Sequence, residues 1–183
     1  MKFQDPDIET SYHTSTIGRT LYEQVLEHKP EKIVEVGTLH GYTTVLMAMA
    51  LDELGRGHIK AYDLFEEYPY KHPTFEGTTA NIRRYGLSKY VTLGKKGLDE
   101  WLADPDEFDL LYIDVSNNGD VIDKVYSAVK DRIAKGAVVL FEGGSKERDE
   151  VEWIKKYNKK PIGEAKAPYK VIDSTFPSLS MLG

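Results

Sequence analysis

The sequence predicts an α/β fold: a doubly wound, mostly parallel, seven-stranded sheet with helices on both faces. Three observations carry that expectation. Strand-like and helix-like segments alternate along the chain, the order that a parallel sheet with helical crossovers demands. "FDLLYIDV" (Phe108–Val115) and "AVVLFE" (Ala137–Glu142) are apolar nearly throughout, as strands buried on both faces are. The strand-like runs also exit at a glycine, a carboxylate or both: Gly37, Asp63, Gly94 to Leu98, Asp114 and Glu142. In such sheets ligands sit beyond the carboxyl ends of the strands, so these exits are where a site is expected.

The elements follow in order. Ser11–His28 carries Tyr12, Ile17, Leu21, Tyr22, Val25 and Leu26 at helical spacing, and Pro30 stops it. Lys32–Val36 reads as the first strand. Tyr42–Leu54 reads as a helix, with Gly55 at its C-terminal stop. His58–Asp63 is the second strand. Beyond the proline- and aromatic-rich connection "LFEEYPYKHPTFEG", Phe75–Tyr85 is predicted helical, with Gly86 behind it. Val91–Leu93 is a short strand and Leu98–Ala103 a short helix. Phe108–Val115 is a central strand. Gly119–Ile133 is an amphipathic helix with Val121, Ile122, Val125, Val129 and Ile133 on its apolar side, closed by Gly136. Ala137–Glu142 is another central strand, and Arg148–Tyr157 a helix. Tyr169–Ile172 and Ser178–Leu182 are strand-like pieces whose register the pattern leaves open.

Composition excludes several classes. A length of 183 residues suits one domain with its own core, so residues 1–183 are expected to form a single domain. The longest apolar run, Val45–Leu51, is too short to span a bilayer, and the opening "MKFQDPDIET" lacks the apolar region of a secretory signal. There is no cysteine, which rules out disulfides and thiolate metal sites and fits a cytoplasmic location. The net charge is −6 and the lysines are scattered, so nucleic acid is not an expected partner. The lysine run "KKYNKK" (Lys155–Lys160) reads as solvated surface. A small-molecule partner is expected, with no membrane partner and a homodimer left open.

The first exit, "EVGTLHGYTT", is a strand-to-helix turn. Gly37 permits close backbone approach, and Gly41 lets the next helix start tight against the sheet. The spacing Gly37-x-x-x-Gly41 departs from the G-x-G-x-x-G of dinucleotide folds. Glu35, on the strand, would repel a pyrophosphate and attract an ammonium or sulfonium. Asp63, at the second exit, suits the two hydroxyls of a ribose. A nucleoside carrying an amino-acid-like cation meets these terms, and S-adenosylmethionine (SAM) is such a molecule.

The successive segments "VEVGTLHGYTT", "IKAYDL", "FDLLYIDV" and "GAVVLFE" resemble the motifs of class I SAM-dependent methyltransferases. The form E-x-G-x-x-x-G-Y-[ST] is most similar to small O-methyltransferases of the catechol and caffeoyl-CoA type and their sugar- and antibiotic-modifying relatives. The resemblance covers roughly Glu31 to Glu142 and implies a Rossmann-like methyltransferase fold. It further implies methyl transfer from SAM to a small-molecule acceptor, with oxygen as the receiving atom. By that resemblance Glu35, Gly37, Thr38, His40 and Gly41 line the methionine end of the cofactor, and Tyr42 and Thr43 open the helix beneath it. Asp63 holds the ribose, Leu64 lies beside the adenine, Lys96, Gly97 and Leu98 border the ring, and Asp114 faces the sulfonium and acceptor. The Ser11–His28 helix folds over the cofactor site.

Transfer to a hydroxyl needs a base or a metal besides alignment. The candidate catalytic residues are Asp114, His13 and His40. The catechol-type pattern has a divalent metal held by an Asp after the fourth strand and an Asp-Asn pair after the fifth. Here Asp114 fits the first position, but the fifth strand ends "FEGG", without the amide. Asp114 and Glu142 with waters could hold Mg²⁺; alternatively Glu142 pairs with Lys146 or Arg148. The aromatic loop Phe65–Phe75 reads equally as a substrate lid, a dimer contact or plain packing. Two other functions stay open on the sequence: an NAD(P)-binding oxidoreductase, and a non-catalytic SAM-binding protein.

Overall fold

A computed structural model describes residues 2–69 and 73–183. The sheet has the strands β1 (Lys32–Val36), β2 (His58–Asp63), β3 (Val91–Lys95), β4 (Leu110–Ile113), β5 (Val138–Glu142), β6 (Tyr169–Asp173) and β7 (Leu179–Leu182). Their spatial order is β3-β2-β1-β4-β5-β7-β6. The first five pair in parallel, while β7 runs antiparallel between β5 and β6. That antiparallel end supplies the register the tail's pattern left open. The fold is therefore α/β and mostly parallel, with β1 and β4 at its centre. Among the described residues no helix is long and apolar enough to cross a membrane.

Alternation along the strands sorts the core into two layers. Ile33, Leu110 and Tyr112 join the layer under α1 (Ile17–His28) and α2 (Tyr42–Leu54). Val34, Val36, Leu111 and Ile113 join the opposite layer with Ile122, Val125 and Val129 of α5 (Gly119–Ile133). The period of two in the strands and of nearly four in the helix α5 produces that split. Tyr42 to Leu51 of α2 are all buried, because the helix is sandwiched between α1 and the sheet. Such a helix is apolar all round rather than striped.

Several bounds differ from the sequence pattern. The first helix begins at Ile17, not Ser11. Residues 11–16 form turns instead, in a stretch of hydroxyl side chains that bond the backbone locally and compete with helix; Ser15 N and Oγ both donate to the Tyr12 carbonyl. Phe75–Arg84 forms α3, and Leu98–Ala103 forms α4. The predicted Arg148–Tyr157 helix is two short ones, α6 (Lys146–Asp149) and α7 (Glu152–Lys156), separated where Val151 is extended. Asp149, the last residue of α6, turns its carboxylate to accept from the backbone N–H of Ile162 and Gly163, at 2.7 Å each, a tertiary contact that fixes the end of α6.

Candidate active site

The exits of β1, β2, β3, β4 and β5 lie along one edge of the sheet, and the predicted site residues other than His13 sit on them or on the start of the helix that follows. The tightest junction is between β1 and β4. Gly37 has φ +98°, and a Cβ there would fall 1.9 Å from the Asp114 carbonyl oxygen. Only glycine allows the two exits to approach so closely. Gly37 N donates to the Tyr62 carbonyl at 2.8 Å and Asp114 N to the Val36 carbonyl at 2.9 Å, so the three exits are locked at the backbone. The turn beyond is fixed from outside. Thr78 and Asn81 of α3 donate to the Leu39 and His40 carbonyls.

Asp63 receives that turn. One carboxylate oxygen accepts from Leu39 N at 2.8 Å and the other from Phe65 N at 3.0 Å. A carboxylate has about four acceptor positions, and Asp63 remains half-exposed, so it can still take the two hydroxyls of a ribose. Leu64 follows, and a Cβ on Gly97 would meet its side chain at 3.4 Å. The structure thus brings Gly97, with Leu98 next to it at the start of α4, up to the Leu64 side chain beside Asp63. Lys96, expected to border the adenine, has its Nζ 5.4 Å from the centre of the Tyr62 ring.

Glu35 requires a correction. It is fully buried and does not line the turn as an open carboxylate. Thr43 Oγ1 donates to one of its oxygens at 2.5 Å, and Thr44 Oγ1 donates to the other. Burial pushes its carboxyl up to about 7, against the lowering effect of both threonines. Its role is to pin the first turn of α2 to β1. Thr38 and Tyr42 are likewise buried, with hydroxyls donated to the Tyr62 carbonyl and to Asp5. These side chains shape the turn from beneath.

At the β4 exit, Asp114 accepts from the Tyr12 hydroxyl at 2.5 Å and from the Tyr112 hydroxyl at 3.3 Å, both at Oδ2. The two tyrosine hydroxyls are 3.4 Å apart. Burial, and then the nearby charge of Glu142, raise the Asp114 carboxyl well above its ordinary range, while both tyrosines oppose the rise. Tyr12 is buried and was not among the candidates from sequence, because helical spacing placed it with the packing residues. Its neighbour His13 lies elsewhere: Nδ1 is 3.8 Å from Asp5, and the ring stands edge-on to Tyr42 at 5.7 Å. His40 Nε2 is 3.7 Å from Glu9. The structure brings Asp114 together with Tyr12 and Tyr112, and with neither histidine.

At the β5 exit, Arg148 Nε and Nη2 donate to the two Glu142 oxygens at 2.5 and 3.1 Å. This is the Arg148 pairing that the sequence left open. Burial pushes the Glu142 carboxyl up and the guanidinium opposes it. The donor set does not fit a divalent metal: both Glu142 oxygens already bind a cation, and among the described residues no three carboxylate or imidazole side chains converge to hold an ion. In the aromatic loop, Phe65 is buried and packs edge-on against Phe75 at 5.2 Å, which is plain packing for those two. Tyr70 and His72 lie outside the described residues. A groove of about 400 Å³ opens at the opposite edge of the sheet, lined by Lys32, Glu107, Asp109 and Arg132 among others. Lys32 and Glu107 there pair with each other at 2.5 Å, and nothing at that edge joins the strand exits.

The chain is similar to known proteins in two ways. The family model described as Methyltransferase domain matches residues 34–142, from β1 through the end of β5. Comparison with curated proteins gave no match. Among solved structures, the O-methyltransferase TomG from Streptomyces achromogenes, involved in tomaymycin synthesis and solved in complex with SAM, is 16% identical. It superposes with a TM-score of 0.62 over 97% of this chain and 82% of that one. The SAH-bound methyltransferase PaMTH1 of Podospora anserina is 13% identical, with a TM-score of 0.63 over 91% of this chain and 76% of that one. An O-methyltransferase from Bacillus cereus in complex with SAH is 16% identical, with a TM-score of 0.62 over 97% and 83%. At these identities the likeness is one of fold.

Proposed function

The chain belongs to the Methyltransferase domain family, and from that premise we propose that it transfers a methyl group from SAM to an oxygen of a small-molecule acceptor. The observation that carries the reading is the pairing of two carboxylates across the Gly37 junction. Asp63 is held by Leu39 N with acceptor capacity to spare, and Asp114 is half-buried beneath two tyrosine hydroxyls. Asp63 takes the ribose hydroxyls, and Leu64, Gly97 and Leu98 flank the adenine. SAM supplies an already activated methyl group, so the chain's task is alignment and proton removal. Asp114 takes the proton of the acceptor hydroxyl as the oxygen–carbon bond forms and the carbon–sulfur bond breaks. A carboxyl raised toward neutrality by burial suits that role. The family match and the Gly37-x-x-x-Gly41 spacing favour this reading over an NAD(P)-dependent oxidoreductase.

Calorimetry with SAM and SAH tests it. Binding to the wild type is expected, weakened about tenfold or more in Asp63→Ala, the loss of roughly one charge-assisted hydrogen-bond pair. No binding at millimolar ligand, or binding unchanged in Asp63→Ala, would sink the assignment.

A further inference from the structure

We propose that Arg148 is a built-in cation that closes the potential metal position between Asp114 and Glu142, so that methyl transfer by this chain runs without a divalent ion. The inference rests on the methyl-transfer reading above and adds what occupies the β5 side of the site.

Four observations converge on it. Arg148 engages both Glu142 oxygens, and the two side chains are only 8% and 6% exposed. Breaking a buried, hydrogen-bonded ion pair leaves an uncompensated charge and is costly, so an entering ion would have to displace the guanidinium or sit against it. Secondly, the two residues after Glu142 are glycines and present no side-chain ligand. Gly143 and Gly144 have φ +104° and +101°, a Cβ on the first would fall 2.7 Å from Ile162 Cδ1, and one on the second 2.4 Å from Ser180 Oγ. A side chain at either position, the amide absent from "FEGG" included, would thus be strained by the positive φ. Thirdly, Asp114 already accepts from Tyr12 and Tyr112 at one oxygen, which leaves a single oxygen to offer. Lastly, Arg148 is held from several sides. Its backbone N donates to the Ser145 Oγ at 3.2 Å, and its guanidinium carbon is 5.3 Å from the centre of the Trp153 ring, within cation–π range. Its buried Nη1 has no hydrogen-bond partner among the described residues, so the cation keeps a free donor there. Mg²⁺ and Mn²⁺ need several oxygen ligands in near-octahedral array, and this corner offers one.

The test is an Mn²⁺ titration of the full chain, with free Mn²⁺ read by its paramagnetic resonance signal, alongside SAH calorimetry with and without EDTA. The wild type is expected to show no stoichiometric Mn²⁺ uptake in the millimolar range and the same SAH affinity in both buffers. Arg148→Met frees Glu142 and is expected to take up Mn²⁺ on the order of tenfold more tightly than wild type, because a positive charge has left the site. Adding Glu142→Gln to that variant should abolish the gain. Stoichiometric uptake by the wild type that Glu142→Gln abolishes would overturn the proposal, as would an Arg148→Met chain that still binds SAH yet takes up no Mn²⁺. Should Arg148→Met fail to fold, the wild-type titration decides. Absence of SAH binding in every buffer would instead count against the cofactor reading, whatever the Mn²⁺ result.

Discussion

Tyr12 donates its phenol to Asp114 at 2.5 Å from the turn that precedes α1, and the consequence can be measured at that one atom. Tyr12→Phe removes a hydrogen bond to the charged form of a half-buried carboxyl. It is expected to cost about 1–2 kcal/mol in urea denaturation. It should also raise the apparent pKa of Asp114 above its wild-type value, since a donor that favours the carboxylate is gone; a carbon-13 carboxyl titration by NMR reads the shift. An unchanged titration would mean that the phenol does not stabilise the carboxylate. This contact was not legible in the sequence. The pattern "SYHTST" displays His13 as the conspicuous titratable group, while Tyr12 fits a helical spacing. Only the turn at residues 11–16 carries its ring down to the sheet. Asp63 and Asp114 were legible, because strand exits are fixed by chain order alone. Arg148 was named only as one of two partners for Glu142, since a pairing across the start of a helix depends on where that helix begins.

The junction of β1 with α2 carries its own pH dependence. Glu35 is raised from its ordinary 4.5 to about 7 by burial, so the folded state binds this proton more tightly than the unfolded chain does. The sign follows from linkage: the contribution to stability is fully present below about 4.5 and is lost as pH rises through about 7. Its size is on the order of 3 kcal/mol, from roughly 1.4 kcal/mol per pKa unit. Glu35→Gln removes this dependence. The difference in unfolding free energy between wild type and variant should therefore shift in the variant's favour between roughly pH 5 and roughly pH 8 in urea titrations. A constant difference would refute the assignment. At this scale the sequence was informative for long periodic elements. Tyr42–Leu54, His58–Asp63 and Gly119–Ile133 were read with the bounds they have. It failed where a tertiary contact ends an element, as Asp149 does for α6.

Across the whole molecule, stability should fall off from the middle of the sheet outward. β1 and β4 each have parallel neighbours on both sides and apolar layers on both faces, whereas β3 and β6 are edge strands. Native-state hydrogen exchange should show the slowest amides in β1 and β4 and faster exchange in β3 and β6; equal protection in β3 and β1 would contradict that ordering. Strand alternation made the parallel part of this sheet legible, but the antiparallel insertion of β7 between β5 and β6 was not, because no local pattern encodes which neighbours a late strand joins. The Gly37 contact with the Asp114 carbonyl has a consequence for how such a protein can diversify. At that crossing the floor of the site is peptide group against peptide group, with no side chain at residue 37 whose exchange could reshape it. Variation in acceptor preference is therefore confined to the collar around that floor, the segment before α1 and the chain after Asp63, which can drift while the seat for the methyl donor stays as it is.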